Sequence, residues 1–225
     1  FLAGNVVKAD LDFVEPQYVK SYDFGYRVNG KKSAFDLNVY WTEWDNFIAA
    51  KNVLAPMYID QPGGAVAAIA AGDYRIMSVD SNTDEVVNTY GVTAGFETSL
   101  FKLFDFSAIY EYNEMDFDNP DSDFEPGFNT PENKYKVSLG STKLAENFAF
   151  NVSARYQDSF LWQQSGFVDA MVPACTVVDA SMNFELPKIK GNIKVGATNL
   201  SGNDYMPFIG TCLLYTSPSP RDSSQ

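Results

Sequence analysis

The chain has 225 residues, with 16 Lys plus Arg against 29 Asp plus Glu, no His and a formal net charge of −13. Lack of His excludes His-ligated metals, Ser-His-Asp and Cys-His catalysis, and the usual general base near neutral pH. The acidity argues against nucleic acid, because no basic stripe is available to neutralise phosphates. No run of 18 or more apolar residues exists, so no helix is expected to span a membrane, whereas alternating barrel strands need no such run.

Period-2 alternation runs through most of the chain. It is short at Tyr22–Val28. From Ala34, Phe35, Leu37, Val39 and Trp41 share one face and Asp36, Asn38, Tyr40 and Thr42 the other. After Tyr90–Phe96, a strand from Phe104 puts Phe106, Ala108, Tyr110 and Tyr112 opposite Asp105, Ser107, Glu111 and Asn113, with Ile109 the apolar exception on the polar side. Tyr135–Leu139 follows. Then Phe148, Phe150, Val152, Ala154 and Tyr156 oppose Asn151, Ser153, Arg155 and Gln157. Val178, Ala180, Met182, Phe184 and Leu186 oppose Asp179, Ser181, Asn183 and Glu185, and Ile193–Ala197 closes the series. No helical period of comparable length competes, so the chain is read as all-β.

The connections alternate in length. Asn29–Lys32, Thr98–Lys102, Thr142–Asn147 and Pro187–Gly191 are short; Ala49–Gly72, Asp118–Glu132 and Leu161–Pro173 are long. An antiparallel up-and-down sheet with tight turns at one rim and long loops at the other has this rhythm, as outer-membrane barrels do. A soluble sandwich shares the two-faced alternation, so alternation alone leaves both open. Three features favour the barrel: strands of about ten residues, aromatics gathered near strand ends (Tyr40, Trp41, Trp44; Tyr110, Tyr112; Tyr156, Phe160, Trp162), and polar faces rich in Asn, Asp, Ser, Thr and Glu.

Several segments resemble one family. Glu15-Pro16-Gln17-Tyr18-Val19-Lys20-Ser21-Tyr22-Asp23-Phe24-Gly25-Tyr26-Arg27 resembles the "P-E-x-x-x-S-Y-E-x-G-x-R" strand of TonB-dependent outer-membrane receptors, with Glu and Pro exchanged in order. Asp36 to Ile48 is similar to the following strand, which often ends in Tyr/Trp-Asp-Asn-Phe-Ile. Asn88 to Gly95 resembles the "x-x-x-G-v-E-x-g" strand, with Thr93 where Glu is common. Phe128-Asn129-Thr130-Pro131-Glu132-Asn133-Lys134 resembles the "N-x-P-x-x-k" loop-to-strand junction. Val172 to Ala180 with Val195 to Leu200, continued by Asn203-Asp204-Tyr205, resembles the penultimate hairpin.

The resemblance, closest to receptors of Bacteroidetes-type bacteria, implies about eight C-terminal strands of an antiparallel transmembrane β-barrel of roughly 22 strands around a plugged lumen. It implies a Gram-negative outer-membrane location and active uptake of a scarce ligand (metal chelate, cobalamin or glycan) with energy from TonB. The implied partners are outer-membrane lipid, the TonB complex, a small ligand and a surface lipoprotein, with no nucleic acid. A passive porin or structural barrel is the alternative, and a soluble glycan-binding sandwich using Trp41, Trp44 or Trp162 a third reading. No enzymatic activity and no cofactor are expected.

Residues 1–211 are read as the partial barrel, and 212–225 as a non-native tail. Cys212 to Asp222 resembles the translation of a sequencing adapter, and such scars are set aside in fold reasoning. The family's last strand is expected beyond Phe208-Ile209-Gly210, and the plug and TonB-contacting box before the segment. With Cys212 set aside, Cys175 is alone and reads as a small packing residue.

No catalytic or cofactor-binding residues are assigned. Between Glu111 and Glu132 lies an acidic stretch without Lys or Arg, in which Asp116, Asp118, Asp121, Asp123 and Glu125 could supply oxygens to a hard cation. Its spacing is not an EF-hand and Pro120 interrupts it, so a solvated outer loop is the favoured reading. The Ala49–Gly72 connection, with Gly63-Gly64 before an Ala-rich run, reads equally as a ligand-facing loop or a short packed helix. Arg155 and Lys194 against Asp36, Asp105, Glu111, Asp179 and Glu185 are expected to pair with one another or with a plug rather than line a substrate path. An open eight-stranded wall leaves two unpaired edges, costly in lipid. The isolated chain is therefore expected not to conduct ions across a planar bilayer; single-channel steps from the purified product would overturn the partial-barrel reading.

Overall fold

The computed structural model describes residues 13–57, 64–83, 86–116, 124–163 and 169–203. Long alternating segments there form β1 (Tyr18–Asn29), β2 (Ser33–Asp45), β5 (Val87–Leu100), β6 (Phe104–Asp116), β8 (Asn133–Ala145), β9 (Phe148–Gln157), β12 (Cys175–Leu186) and β13 (Gly191–Ala197). These eight make one antiparallel sheet in the order β1-β2-β5-β6-β8-β9-β12-β13, a meander in which each strand pairs with the next long strand in the chain. All eight stretches read from alternation are strands, and the short connections are the turns between β1 and β2, β5 and β6, β8 and β9, and β12 and β13. The sheet stays open, with β1 and β13 at its edges.

The long connections carry structure of their own. The connection from β2 to β5, longer than the 49–72 read from the sequence, holds β3 (Ile48–Pro56), α1 (Gly64–Ala70) and β4 (Tyr74–Asn82); that from β6 to β8 holds β7 (Phe124–Glu125); that from β9 to β12 holds β10 (Phe160–Trp162) and β11 (Ala170–Val172). β4, β3 and β7 form a second small sheet and β10–β11 a hairpin. Alternation is weak in β3 and β4, where Ala49-Ala50 and Ile76-Met77 break the period, which is why the sequence pattern marks neither as a strand. The Ala-rich run is the short helix, with Ala68 and Ile69 buried.

The faces sort as a lipid-spanning wall requires. Register rows such as Val28–Phe35–Phe96–Ala108–Val137–Ala154–Val178 run apolar across seven strands. Phe24, Phe35, Val39, Phe96, Leu139, Val152, Met182, Phe184 and Val195 on this face are all exposed. Among the described residues no second sheet covers it, so the sandwich reading fails: the core such a fold requires is missing. At the loop end, Tyr22 stacks on Trp41 (5.5 Å) and Tyr135 on Tyr110 (4.9 Å); at the turn end, Phe148 meets Phe184 (5.0 Å). Trp41 and Phe35, or Tyr156 and Phe148, lie six and eight residues apart along one strand. At about 3.3 Å per residue this spans some 20–26 Å, matching the apolar band of outer-membrane barrels and its two aromatic girdles.

Small residues on the polar face let long ones lie flat. Tyr40 crosses Gly91, its register partner, and its hydroxyl donates to Asn113 Oδ1 on β6 (3.0 Å). A Cβ on Gly91 would sit 2.5 Å from both the Tyr40 ring and the Tyr112 carbonyl oxygen. The glycine is thus required by close approach of a neighbour rather than by a turn. Gly91→Ala is expected to cost about 1–3 kcal/mol, read as a lower unfolding midpoint in detergent, while Gly25→Ala, with nothing near its Cβ position, should cost clearly less.

Candidate functional site

The polar face carries the charges singled out from the sequence, and most of them pair across neighbouring strands. Lys134 lies 3.3 Å from Glu111, Arg155 lies 3.5 Å from Asp179, and Arg27 is salt-bridged to Asp36. Asp105 accepts a hydrogen bond from Ser99 Oγ (3.2 Å). Lys194 stands opposite Asn183 and Glu185 opposite Asn192, and neither forms an ion pair among the described residues. Mutual pairing is therefore the rule on β1, β2, β6, β8, β9 and β12.

One juxtaposition departs from it. Lys136 on β8 is the direct register partner of Arg155 on β9, and Lys134 is next along that face. Like charges directly opposite each other are unfavourable in an antiparallel pair. Around them is a hollow of about 180 Å³, lined among others by Ile109, Glu111, Cys175 and Val177. This accounts for Ile109: it faces the hollow with Val177 and the buried free thiol of Cys175. A larger concavity of about 670 Å³ lies towards the turn end, over Glu97, Asp105, Ser107, Ser138, Gly140 and Asn151.

At the loop rim, the sequence motifs act as hydrogen-bonded clasps. Asn46, in the left-handed region at φ 57°, donates through Nδ2 to the Pro16 carbonyl (3.0 Å), while the Ile48 N–H donates to Gln17 Oε1 (3.1 Å). Asn82 Oδ1 accepts from the Glu15 N–H and its Nδ2 donates to the Glu15 and Asn46 carbonyls. Phe47 is buried with Ala49 and Val87 against Trp44 and Met115. Asn129 exchanges two hydrogen bonds with the Gln163 backbone, tying the second loop to the third. Asp179 Oδ1 accepts from the Asn199 N–H, and Asn203 Nδ2 donates to the Thr176 carbonyl. Trp41 belongs to the outer girdle and Trp44 donates to Thr89 (3.2 Å).

The acidic stretch falls partly outside the described residues. Asp118, Asp121 and Asp123 lie outside the described residues, Asp116 ends β6 and Glu125 is in β7. Among the described residues no three acidic, His or Cys side chains are placed to hold a metal ion. Glu125 instead bridges loops: Asn52 Nδ2 donates to its Oε1, while its Oε2 is buried without a hydrogen-bond partner among the described residues. Burial, and then repulsion from Asp169, raise its carboxyl above the ordinary range, partly offset by the Asn52 bond.

The fold and its two faces define a stretch of outer-membrane β-barrel wall with a structured loop layer on one rim. The family described as "TonB dependent receptor-like, beta-barrel" matches residues 3–200, and the chain belongs to it. This is a family of transporters and receptors in the outer membrane of Gram-negative bacteria. Among solved structures, the chain is similar to the copper transporter OprC (TM-score 0.60, 14% identity, 87% of this chain and 27% of that one). It is also similar to the FrpB iron transporter from Neisseria meningitidis (TM-score 0.57, 13% identity, 86% and 27%). A third is FpvA of P. aeruginosa bound to a pyoverdine–iron complex (TM-score 0.57, 15% identity, 88% and 25%). The chain thus spans about a quarter of the length of each. No curated protein matches its sequence.

A raised folded-state pKa means that the folded loop layer holds the Glu125 proton more tightly than the unfolded chain does, so this group's contribution falls as pH climbs through the raised value. Amides of the β3–β7 pairing (Ala50, Lys51, Phe124, Glu125) should be better protected from hydrogen exchange at about pH 5 than at about pH 7, after correction for intrinsic rates. Glu125→Gln should abolish that difference.

Proposed function

We propose that the chain is wall and loop layer of a TonB-energised outer-membrane transporter for a scarce ligand, and that, among a metal chelate, cobalamin and a glycan, the cargo is an anionic metal chelate. The observation that carries the ligand class is the placement of Lys136 directly opposite Arg155, beside Lys134, at the hollow of the polar face. Keeping two cations in register costs about 0.2–1 kcal/mol relative to a neutral pair. Lys134 keeps Glu111 and Arg155 keeps Asp179 as partners, so the cationic excess here is that of Lys136; its cost opposite Arg155 is offset when an anion passes or docks, and the excess favours anions locally. The names of similar structures, copper and iron transporters and a siderophore receptor of Acinetobacter baumannii, support the same class. In this reading the short helix α1 lies over the lumen mouth, and a surface lipoprotein of a Bacteroidetes-type cell covers the loop rim. We read residues 212–225, which lie outside the described residues, as a non-native tail.

The test uses the complete receptor carrying this segment, produced in a Gram-negative host, with ferric citrate as the anionic chelate. Uptake is expected to stop when an uncoupler collapses the proton gradient. The double substitution Lys136→Gln and Arg155→Gln should lower uptake at limiting chelate on the order of tenfold. Uptake that persists with the uncoupler, together with ohmic conductance in a planar bilayer, would replace this proposal with the passive porin. Energised uptake unaffected by the double substitution would keep the transporter and discard the anionic cargo.

A further inference from the structure

The two rims of the sheet differ in charge far more than the chain's average does. The loop connections 46–86, 117–132 and 158–174 contain twelve Asp or Glu and two Lys or Arg. The four short turns reverse this: Lys31, Lys32, Lys102, Lys143, Lys188 and Lys190 occupy them, with Glu146 as their one carboxylate. Six of the chain's 16 cationic residues thus stand along one edge of a molecule whose net charge is −13. Lys31, Lys32, Lys102, Lys188 and Lys190 are exposed, and none forms an ion pair among the described residues. By contrast Lys20, Arg27, Lys134 and Arg155 each have a carboxylate partner.

The same turns also present large apolar side chains. Phe101 is 86% exposed, Ile189 73% and Leu144 48%, each next to a turn lysine in sequence. The β5–β6 turn makes the point most sharply. Phe101 and Lys102 both lie in the left-handed region (φ 52° and 60°), closed by a Leu103 N–H to Leu100 carbonyl hydrogen bond. Asn-Gly is the least strained pair for such a turn. Phe-Lys there instead projects an aromatic ring and an ammonium from the tip of the hairpin. A ring or alkyl group flanked by a cation on a long stem is the arrangement that sits at a membrane surface, the apolar part among acyl chains and the ammonium among headgroups. The lipid-facing rows end at Phe104, Phe148 and Phe184, which stand within three to five residues of Phe101, Leu144 and Ile189 in sequence, so these exposed apolar side chains lie at the margin of the bilayer-facing surface.

We propose that the short-turn rim is a collar that binds anionic phospholipid headgroups of the adjacent, periplasmic leaflet, through its turn lysines and the apolar residues beside them. The acidic loop rim disfavours that leaflet, so the charge difference also biases which rim faces it. The occupant follows from charge complementarity and from continuity with the lipid-facing surface. An acidic soluble protein would meet the lysines but would not explain why large apolar side chains stand exposed beside them, next to the ends of the membrane-facing rows. This inference rests on the barrel fold and is independent of the cargo.

The test places the complete receptor in nanodiscs of phosphatidylcholine with a minor fraction of brominated phosphatidylglycerol, or of brominated phosphatidylcholine, and reads quenching of a Trp introduced as Phe101→Trp. Association with the anionic lipid should be favoured at least about threefold over the zwitterionic one. The fivefold substitution of Lys31, Lys32, Lys102, Lys188 and Lys190 to Gln should bring that ratio to about one, and the same five changed to Arg should restore it. Heat-modifiable gel mobility identifies the folded barrel in each variant, and only folded material is scored. Equal quenching by the two lipids in the parent protein, or a preference that survives the Gln substitutions, overturns the proposal.

Discussion

A backbone amide or carbonyl in hydrocarbon has no water to bond, and leaving it unpaired costs several kcal/mol. That constraint dictates the uninterrupted ladders of this chain. β5 pairs with β6 over thirteen consecutive positions, from Asn88–Asp116 to Leu100–Phe104. β1 pairs with β2 over twelve, from Tyr18–Asp45 to Asn29–Ala34. The irregularities fall at the rims, as in the shift of β8 against β9 between Ser141 and Ala145 at a short turn, where Ser141 Oγ reaches the Leu103 carbonyl. Positive-φ residues follow the same rule: Asn46, Phe101, Asn147, Lys190 and Asn199 all lie at strand ends or beyond.

Once the ladders are fixed, side chains have only two destinations. The outer face is filled with apolar residues whose exposure would be a liability in water and is required in lipid. The inner face is filled with short and polar residues that pair locally: Ser107 with Ser138 (2.7 Å), Ser21 with Thr42 (3.0 Å), and the ion pairs described above. Aromatic residues mark both ends of the outer band because their rings tolerate the acyl boundary while hydroxyls and ring N–H groups seek the wet side. Tyr110 follows this pattern, donating to Asn133 Oδ1 (2.8 Å).

The rims carry what the wall cannot. On the loop side, Asn and Gln side chains stitch separate connections together, so that the segment Glu15–Gln17, the turn at Asn46 and the end of β4 form one joint. Asparagine suits this task because it accepts and donates at once and tolerates the left-handed backbone. The motifs by which the sequence resembles its family thus correspond to these joints more than to the wall, where many apolar residues would serve equally well.

How much was legible in the chain itself follows from how local each signal is. Side-chain alternation is a property of one strand, so the eight wall strands, their two faces and the alternation of short and long connections could be read directly. The family could be read because its motifs encode the rim joints. The turn at Phe101-Lys102 could be placed as a short connection but its left-handed backbone could not, since that is imposed by the pairing of β5 with β6 rather than by glycine or asparagine. β3 and β4 were hidden because they are held by each other and by β7 in a loop layer, where no lipid enforces alternation. The ion pairs, and the like-charged register pair of Lys136 with Arg155, depend on strand register. A one-residue slip would exchange every partner. Only the tertiary structure, by fixing that register, decided which charges cancel and which remain facing the lumen.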